Sequence, residues 1–177
     1  KWVITISTQY GCSMKCNFCD VPLVGRGINA TALDLEYEII EGLKLFPEIK
    51  ATKRLNIHFA RMGEPTFNRN VLWCAHDLIE LKSTMNPHPV VSTMMPKNNK
   101  GLRSFLFNWM LIKNDIYKGN AGLQLSINST DEHERNIMFS HSALPLQHIS
   151  DLMKSLRMKP KGRKITLNFA VANYTVD

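Results

Sequence analysis

Apolar positions along the chain switch between two periods. Short runs rich in β-branched residues alternate with stretches whose apolar residues recur every three to four positions. The run WVITIST, residues 2–8, predicts a first strand. In TALDLEYEIIEGLKLF, residues 31–46, Leu35, Ile39, Leu43 and Phe46 fall on one helical face. Thr31 or Asp34 is suited to cap that helix, and Pro47 stops it. RLNIHFAR (54–61) reads as a second strand and RNVLWCAHDLIELKS (69–83) as a second helix. PVVSTMM (89–95) is a third strand, with a helix following within 101–115. GLQLSIN (122–128) is a fourth, followed by helical segments around 131–138 and 146–156, and KITLNFAV (164–171) is a fifth.

Strands separated by helices indicate repeated βα units, hence an α/β fold with a parallel sheet. Closed or partly closed, such a sheet carries ligand chemistry at the carboxyl ends of its strands. The polar clusters sort themselves by that rule. A cysteine-rich loop follows the first strand, RMGEP the second, STMMP the third and SINST the fourth. All four are expected on one rim.

Composition narrows the class without naming a function. The 177 residues are 44% hydrophobic and 21% charged, enough for one domain with a real core. No apolar run approaches the roughly 18 residues of a membrane span. Four cysteines, three of them crowded, do not make a secreted disulfide framework, so a reducing cytoplasmic setting is expected. A net charge of +7 permits a nucleic-acid partner without requiring one. The chain begins at Lys1 and ends just past a strand-like run. It therefore reads as one domain over 1–177, a fragment cut at both ends.

Cys12, Cys16 and Cys19 form a CxxxCxxC loop. A closed zinc site wants four ligands, and a [4Fe–4S] cube normally takes four thiolates. With only three, such a cube keeps one iron open, and a molecule carrying an amine and a carboxylate can chelate it. A zinc knuckle completed by Cys74 is the competing reading. Cys74, however, lies between Trp73 and Ala75 in the second helix and reads as a small buried hydrophobe.

The loop resembles that of the radical S-adenosyl-L-methionine (SAM) enzymes. That resemblance implies a [4Fe–4S] cluster on Cys12, Cys16 and Cys19, with SAM on the open iron. It further implies reductive cleavage of SAM to a 5′-deoxyadenosyl radical. Phe18, just before Cys19, fits the family pattern of an aromatic near the adenine. In MGEP (62–65), Gly63 permits close backbone approach and Glu64 offers a carboxylate to an ammonium group. In the family a GEP-type motif receives the amino group of SAM.

The finer resemblance is to the radical SAM RNA methyltransferases, through STQYGCSMKCNFC, MGEP followed by FN, VVSTMMP and LQLSIN, over nearly the whole chain. It implies a partial (βα)6-type barrel, of which about five units are present here. It implies SAM contacts at Gly63, Glu64, Ser92, Ser126 and Asn128. It also implies methylation of an adenine in ribosomal or transfer RNA, with electrons from a reducing protein such as a flavodoxin or ferredoxin. The sequence departs from the pattern at Arg61, where glycine is usual, and at Asn128, where histidine is usual. The methyl-carrying cysteine of that mechanism is missing, since no cysteine follows Cys74. Truncation, or different radical chemistry on a peptide, a protein or a nucleobase-like metabolite, accounts for its absence. A non-enzymatic zinc-stabilised RNA-binding module is the remaining alternative.

Basic residues expected on the catalytic rim, namely Lys15, Arg26, Arg61, Lys97 and Lys100, suit phosphate contact. The basic stretch RMKPKGRK (157–164) reads as a solvated turn on the opposite rim, and His58 as a strand residue rather than a ligand.

Overall fold

The structure is a computed structural model that describes residues 1–156 and 162–170, the side chains of Lys82 and Ser83 aside. Its centre is a five-stranded sheet built from β1 (Trp2–Ile6), β4 (Leu55–Phe59), β5 (Pro87–Thr93), β6 (Gly122–Asn128) and β7 (Thr166–Phe169). These lie side by side in that order, and every neighbouring pair is parallel. Each crossover carries helix: α1 (Ala32–Lys44), α2 (Asn70–Asp77), α3 (Leu102–Leu111), and then α4 (Glu132–Met138) with α5 (Leu146–Ser155). The predicted βα series and its parallel sheet are present, compatible with a partial barrel.

Alternation along the strands decides the two faces. Ile4, Ile6, Leu55, Ile57, Phe59, Val91, Leu123, Leu125 and Ile127 point into one core with Leu35, Ile39, Val71, Leu106, Trp109 and Ile149 from the helices. The intervening positions, such as Thr5, His58, Ser92, Gln124 and Ser126, form the face turned from the helices. That face is polar, which is why the strands are not apolar throughout.

Local signals explain most boundaries. At the start of α1, Thr31 Oγ1 accepts from the Asp34 N–H (3.1 Å), and Asp34 Oδ2 accepts from the Thr31 N–H (2.7 Å). Both candidate caps are thus used together, as a capping box. The second helix is shorter than its pattern suggested: α2 stops at Asp77 and residues Leu78–Ser83 tighten into a 3-10 turn. The third strand begins two residues earlier than expected, at Pro87, in spite of two prolines. Pairing with β6 starts only at Val90, so Pro87 and Pro89 direct their missing N–H groups to a side with no partner strand. The fifth strand is Thr166–Phe169. Val171, and residues 157–161 of the basic stretch, lie outside the described residues.

Two further strands escaped the hydrophobic pattern. β2 (Gln9–Tyr10) and β3 (Ile28–Asn29) pair antiparallel and close the cysteine loop at its base. Among the described residues no helix is long and apolar enough to cross a membrane.

Candidate functional site

The four strand-end segments meet at one end of the sheet. A cavity of about 170 Å3 is lined there by Cys12, Cys16, Phe18, Cys19, Arg61, Gly63, Glu64, Ser92, Ser126 and Asn128. Every residue singled out for the cluster or for SAM borders this space. Met14, Val21, Ala60, Met94 and Phe139 complete its walls. A larger cavity of about 540 Å3 lies between α2 and α3, walled by Leu72, Trp73, Leu111, Ile112 and Ile116. It holds no cysteine, so volume and chemistry point to different places, and the chemistry belongs to the smaller one.

Gln9, fully buried, ties the cysteine loop to the MGEP turn. Its Oε1 accepts from the N–H groups of Ser13 and Glu64, both at 3.1 Å. Its Nε2 donates to Ser13 Oγ (2.8 Å) and Asn29 Oδ1 (2.7 Å). Gly63 makes this closeness possible. Its φ of +94° suits glycine, and a Cβ there would lie 2.6 Å from Cβ of Gln9.

Glu64 is 4% exposed and held at both oxygens. Oε1 accepts from Thr66 N–H (3.1 Å), Thr66 Oγ1 (2.8 Å) and Thr93 Oγ1 (2.7 Å), while Oε2 accepts from Met94 N–H (3.1 Å). Burial raises its pKa above the ordinary glutamate value, and these four donors pull it back. The single donor on Oε2 leaves acceptor capacity for a cation in the cavity. Thr93 also accepts from the Met95 N–H (3.0 Å), holding Met95 at a φ of +61°, an uncommon conformation for a bulky residue.

Asn128 owes its position to a register shift. Between Ser126 and Asn128 the pairing with β7 slips, and Asn128 takes a φ of +66° at the strand end. Asparagine is among the few residues that adopt this conformation readily. Ser126 and Asn128, two residues apart on one face of the strand, line the same cavity wall.

The cysteine loop docks on the end of α4. Asn17 donates from its backbone to Met138 O (2.9 Å) and from Nδ2 to Ile137 O (2.6 Å). Ser140 Oγ donates to the carbonyl of Lys15 and bonds Asn17 Oδ1. Phe18 packs edge-on against Phe139 at 5.5 Å, and the Arg135 guanidinium lies 5.3 Å from the Phe139 ring centre. Sequence reading missed Gln9, Thr66, Thr93, Asn17 and Phe139. Gln9, inside the STQYGC block, was the one most within reach.

Burial raises the pKa of Cys12, and it pushes Cys16 to about 12, helped by Cys12, Cys19 and Glu64 nearby. Thiols gathered beside a carboxyl resist ionisation until a cationic group joins them, and binding then releases protons. Among the described residues no three His, Cys, Asp or Glu side chains converge on a point where a single metal ion would sit. Three thiols border this one cavity, one ligand short of a closed tetrahedral zinc site and of the type that binds iron–sulfur clusters. Cys74 is buried in the core, packed in α2 away from this wall. The donor set therefore fits an iron–sulfur cluster with three protein ligands.

No protein-family model matches the chain. Individual relatives do. It is 28% identical over 170 residues to the dual-specificity RNA methyltransferase RlmN of Lawsonia intracellularis, covering 93% of this chain and 44% of that protein. Against the probable enzyme of the same name from Bacteroides thetaiotaomicron it is 27% identical over 172 residues, covering 95% and 44%. Against that of Wolinella succinogenes it is 35% identical over 82 residues, covering 46% and 23%. The chain spans less than half the length of these curated relatives. Several such relatives, matched over most of the chain, support its likeness to the RNA methyltransferases of that name.

Proposed function

We propose that the chain is the cofactor-binding core of a radical SAM enzyme that methylates an adenine in RNA. The observation that carries this reading is the single cavity in which Cys12, Cys16 and Cys19 face Gly63, Glu64, Ser92, Ser126 and Asn128.

In this reading Cys12, Cys16 and Cys19 would hold a [4Fe–4S] cluster and leave one iron open to SAM. When bound and reduced, the cluster would supply the electron for reductive cleavage of SAM. The rest falls to the chain's own residues. Glu64 Oε2 would accept an N–H from the amino group of SAM, its other oxygen being committed to Thr66 and Thr93. Ser92, Ser126 and Asn128 offer hydroxyl and amide groups suited to ribose and carboxylate oxygens. Phe18, 56% exposed, covers an adenine face. A cavity of about 170 Å3 is small for a whole nucleoside, so part of SAM extends past Phe18 and Arg61, both exposed at the mouth.

RNA is the preferred substrate because the relatives are named RNA methyltransferases. No cysteine follows Cys74, so these residues do not supply the methyl-carrying thiol of such a mechanism. A flavodoxin or ferredoxin in the cytoplasm would supply the electron.

Anaerobic reconstitution tests the reading. A brown protein with about four irons and four sulfides per chain, cleaving SAM under reduction, is expected. Cys12→Ala, Cys16→Ala and Cys19→Ala should each abolish cleavage, and Cys74→Ala should not. One colourless zinc per chain would instead favour the RNA-binding module.

A further inference from the structure

The amino ends of the strands carry a second cluster, opposite the cysteines and on the same polar face. Two rows of the sheet define it. One runs Val3, Asn56, His88, and the next runs Thr5, His58, Val90, Gly122. Arg54 enters from the start of β4, its Nε donating to Asn56 Oδ1 (2.9 Å). Arg163 enters from the turn before β7. A Cβ on Gly122 would lie 2.8 Å from Arg163 Nη1 and 2.9 Å from Val90 Cγ1. The guanidinium thus occupies the space a side chain at 122 would take.

Arg163 is built in rather than draped on the surface. Its N–H donates to Gly119 O (2.9 Å), and its carbonyl accepts from Lys113 Nζ (2.7 Å). Lys113, 1% exposed, directs its other donors to the carbonyls of Gly119 and Ala121. Yet, among the described residues, Nη1 of Arg163 is buried without a hydrogen-bond partner. An orphaned buried donor on a charged group is costly, and commonly marks a place where an ion or water binds. Among the described residues no carboxylate pairs with Arg54, His58, His88 or Arg163: the ion pairs present are Lys44–Glu41, His76–Asp77, Arg135–Glu132 and Lys154–Asp151. The cations press on one another instead. Arg54 and Arg163 both lower the pKa of His58 and of His88, behind burial, and Arg54 lowers that of Arg163.

We propose that Arg54, His58, His88 and Arg163 form an anion site on the polar face of the sheet that takes a phosphoryl group. Two guanidinium forks match the oxygens of a phosphate, and two imidazoles gain protons as a multiply charged anion enters. His88 lies four residues before the cavity residue Ser92 on β5, about 13 Å away at ~3.3 Å per residue. The site is therefore separate from the SAM contacts. The phosphoryl group belongs either to a free phosphate or small phosphate ester, or to the backbone of an RNA. Only the RNA source rests on the function proposed above.

The test is a pair of NMR titrations of the intact chain, prepared without iron or SAM, so that failure of the cofactor reading does not touch it. One uses inorganic phosphate and the other a short single-stranded RNA. Saturable shifts centred on His58, His88, Gly122 and Arg163 are expected in at least one arm. Arg54→Met and Arg163→Met should each weaken binding about tenfold or more. Lys154→Met, exposed on α5 and paired with Asp151, should not. If Arg163→Met fails to fold, Arg54→Met and His88→Asn carry the comparison. Phosphate shifting the four residues while RNA leaves them still identifies a small phosphate ligand. RNA shifting them, with a salt slope reduced by about 1 in Arg54→Met, identifies the phosphodiester. Shifts that do not saturate, that centre on Arg61 and Lys97, or that persist unchanged in folded arginine variants overturn the proposal.

Discussion

At the scale of single residues, Glu64 and its donors give the sharpest expectations. Glu64 holds its proton more tightly when folded than when unfolded, because burial raises its pKa above 4.5. The sign follows directly: stability falls as pH rises from about 4.5 toward the folded value. Denaturant midpoints measured from pH 4 to 8 should show that fall, and Glu64→Gln should flatten it. Equal slopes in the two proteins would refute the assignment. Thr93→Val removes a donor from Glu64 Oε1 and the acceptor for Met95 N–H, and should cost about 1–3 kcal/mol in urea unfolding. Glu64 was legible from its motif. Thr66 and Thr93 were not, since a threonine in a strand-end run gives no sign that its hydroxyl serves a carboxylate 29 residues away.

Among elements, legibility depended on how local the cause was. The amphipathic stripe and capping box of α1 are written within a few residues, and that helix lies where its pattern puts it. Thr31→Ala should cost about 1 kcal/mol of stability, read from the thermal or denaturant transition. The prolines of β5 could not be placed from sequence, because what tolerates them is the late start of β6 pairing. The docking of the cysteine loop on α4 was equally hidden, resting on contacts from Asn17 and Lys15 to residues 120 or more positions away. Asn17→Ala deletes the bond to Ile137 O and the side-chain bond to Ser140. The variant should keep its fold by circular dichroism yet exchange the loop amides of residues 12–19 faster. Unchanged exchange would mean the loop is held by something else.

For the whole molecule, one sheet carries two chemistries on one face: thiols and a carboxylate at the carboxyl ends, and arginines and histidines at the amino ends. The rule that ligands bind at the carboxyl ends of parallel strands made the first legible. The second depends on register, which sets His58 and Gly122 in one row and brings Arg163 over a residue with no side chain. Nothing local in the sequence encodes that. Gln9, meanwhile, joins the cysteine loop to the MGEP turn, so the two halves of the proposed cofactor site should fail together. Gln9→Ala should lower both iron retention and SAM affinity, whereas independent halves would lose only one.

The most direct measurement is the electron paramagnetic resonance spectrum of the reconstituted, reduced protein with and without SAM. If the chain's thiolates hold three irons and leave the fourth to SAM, adding SAM changes the cluster signal in the wild type and leaves it unchanged in Glu64→Ala. A cluster signal indifferent to SAM in the wild type would contradict the open iron on which the proposed function depends.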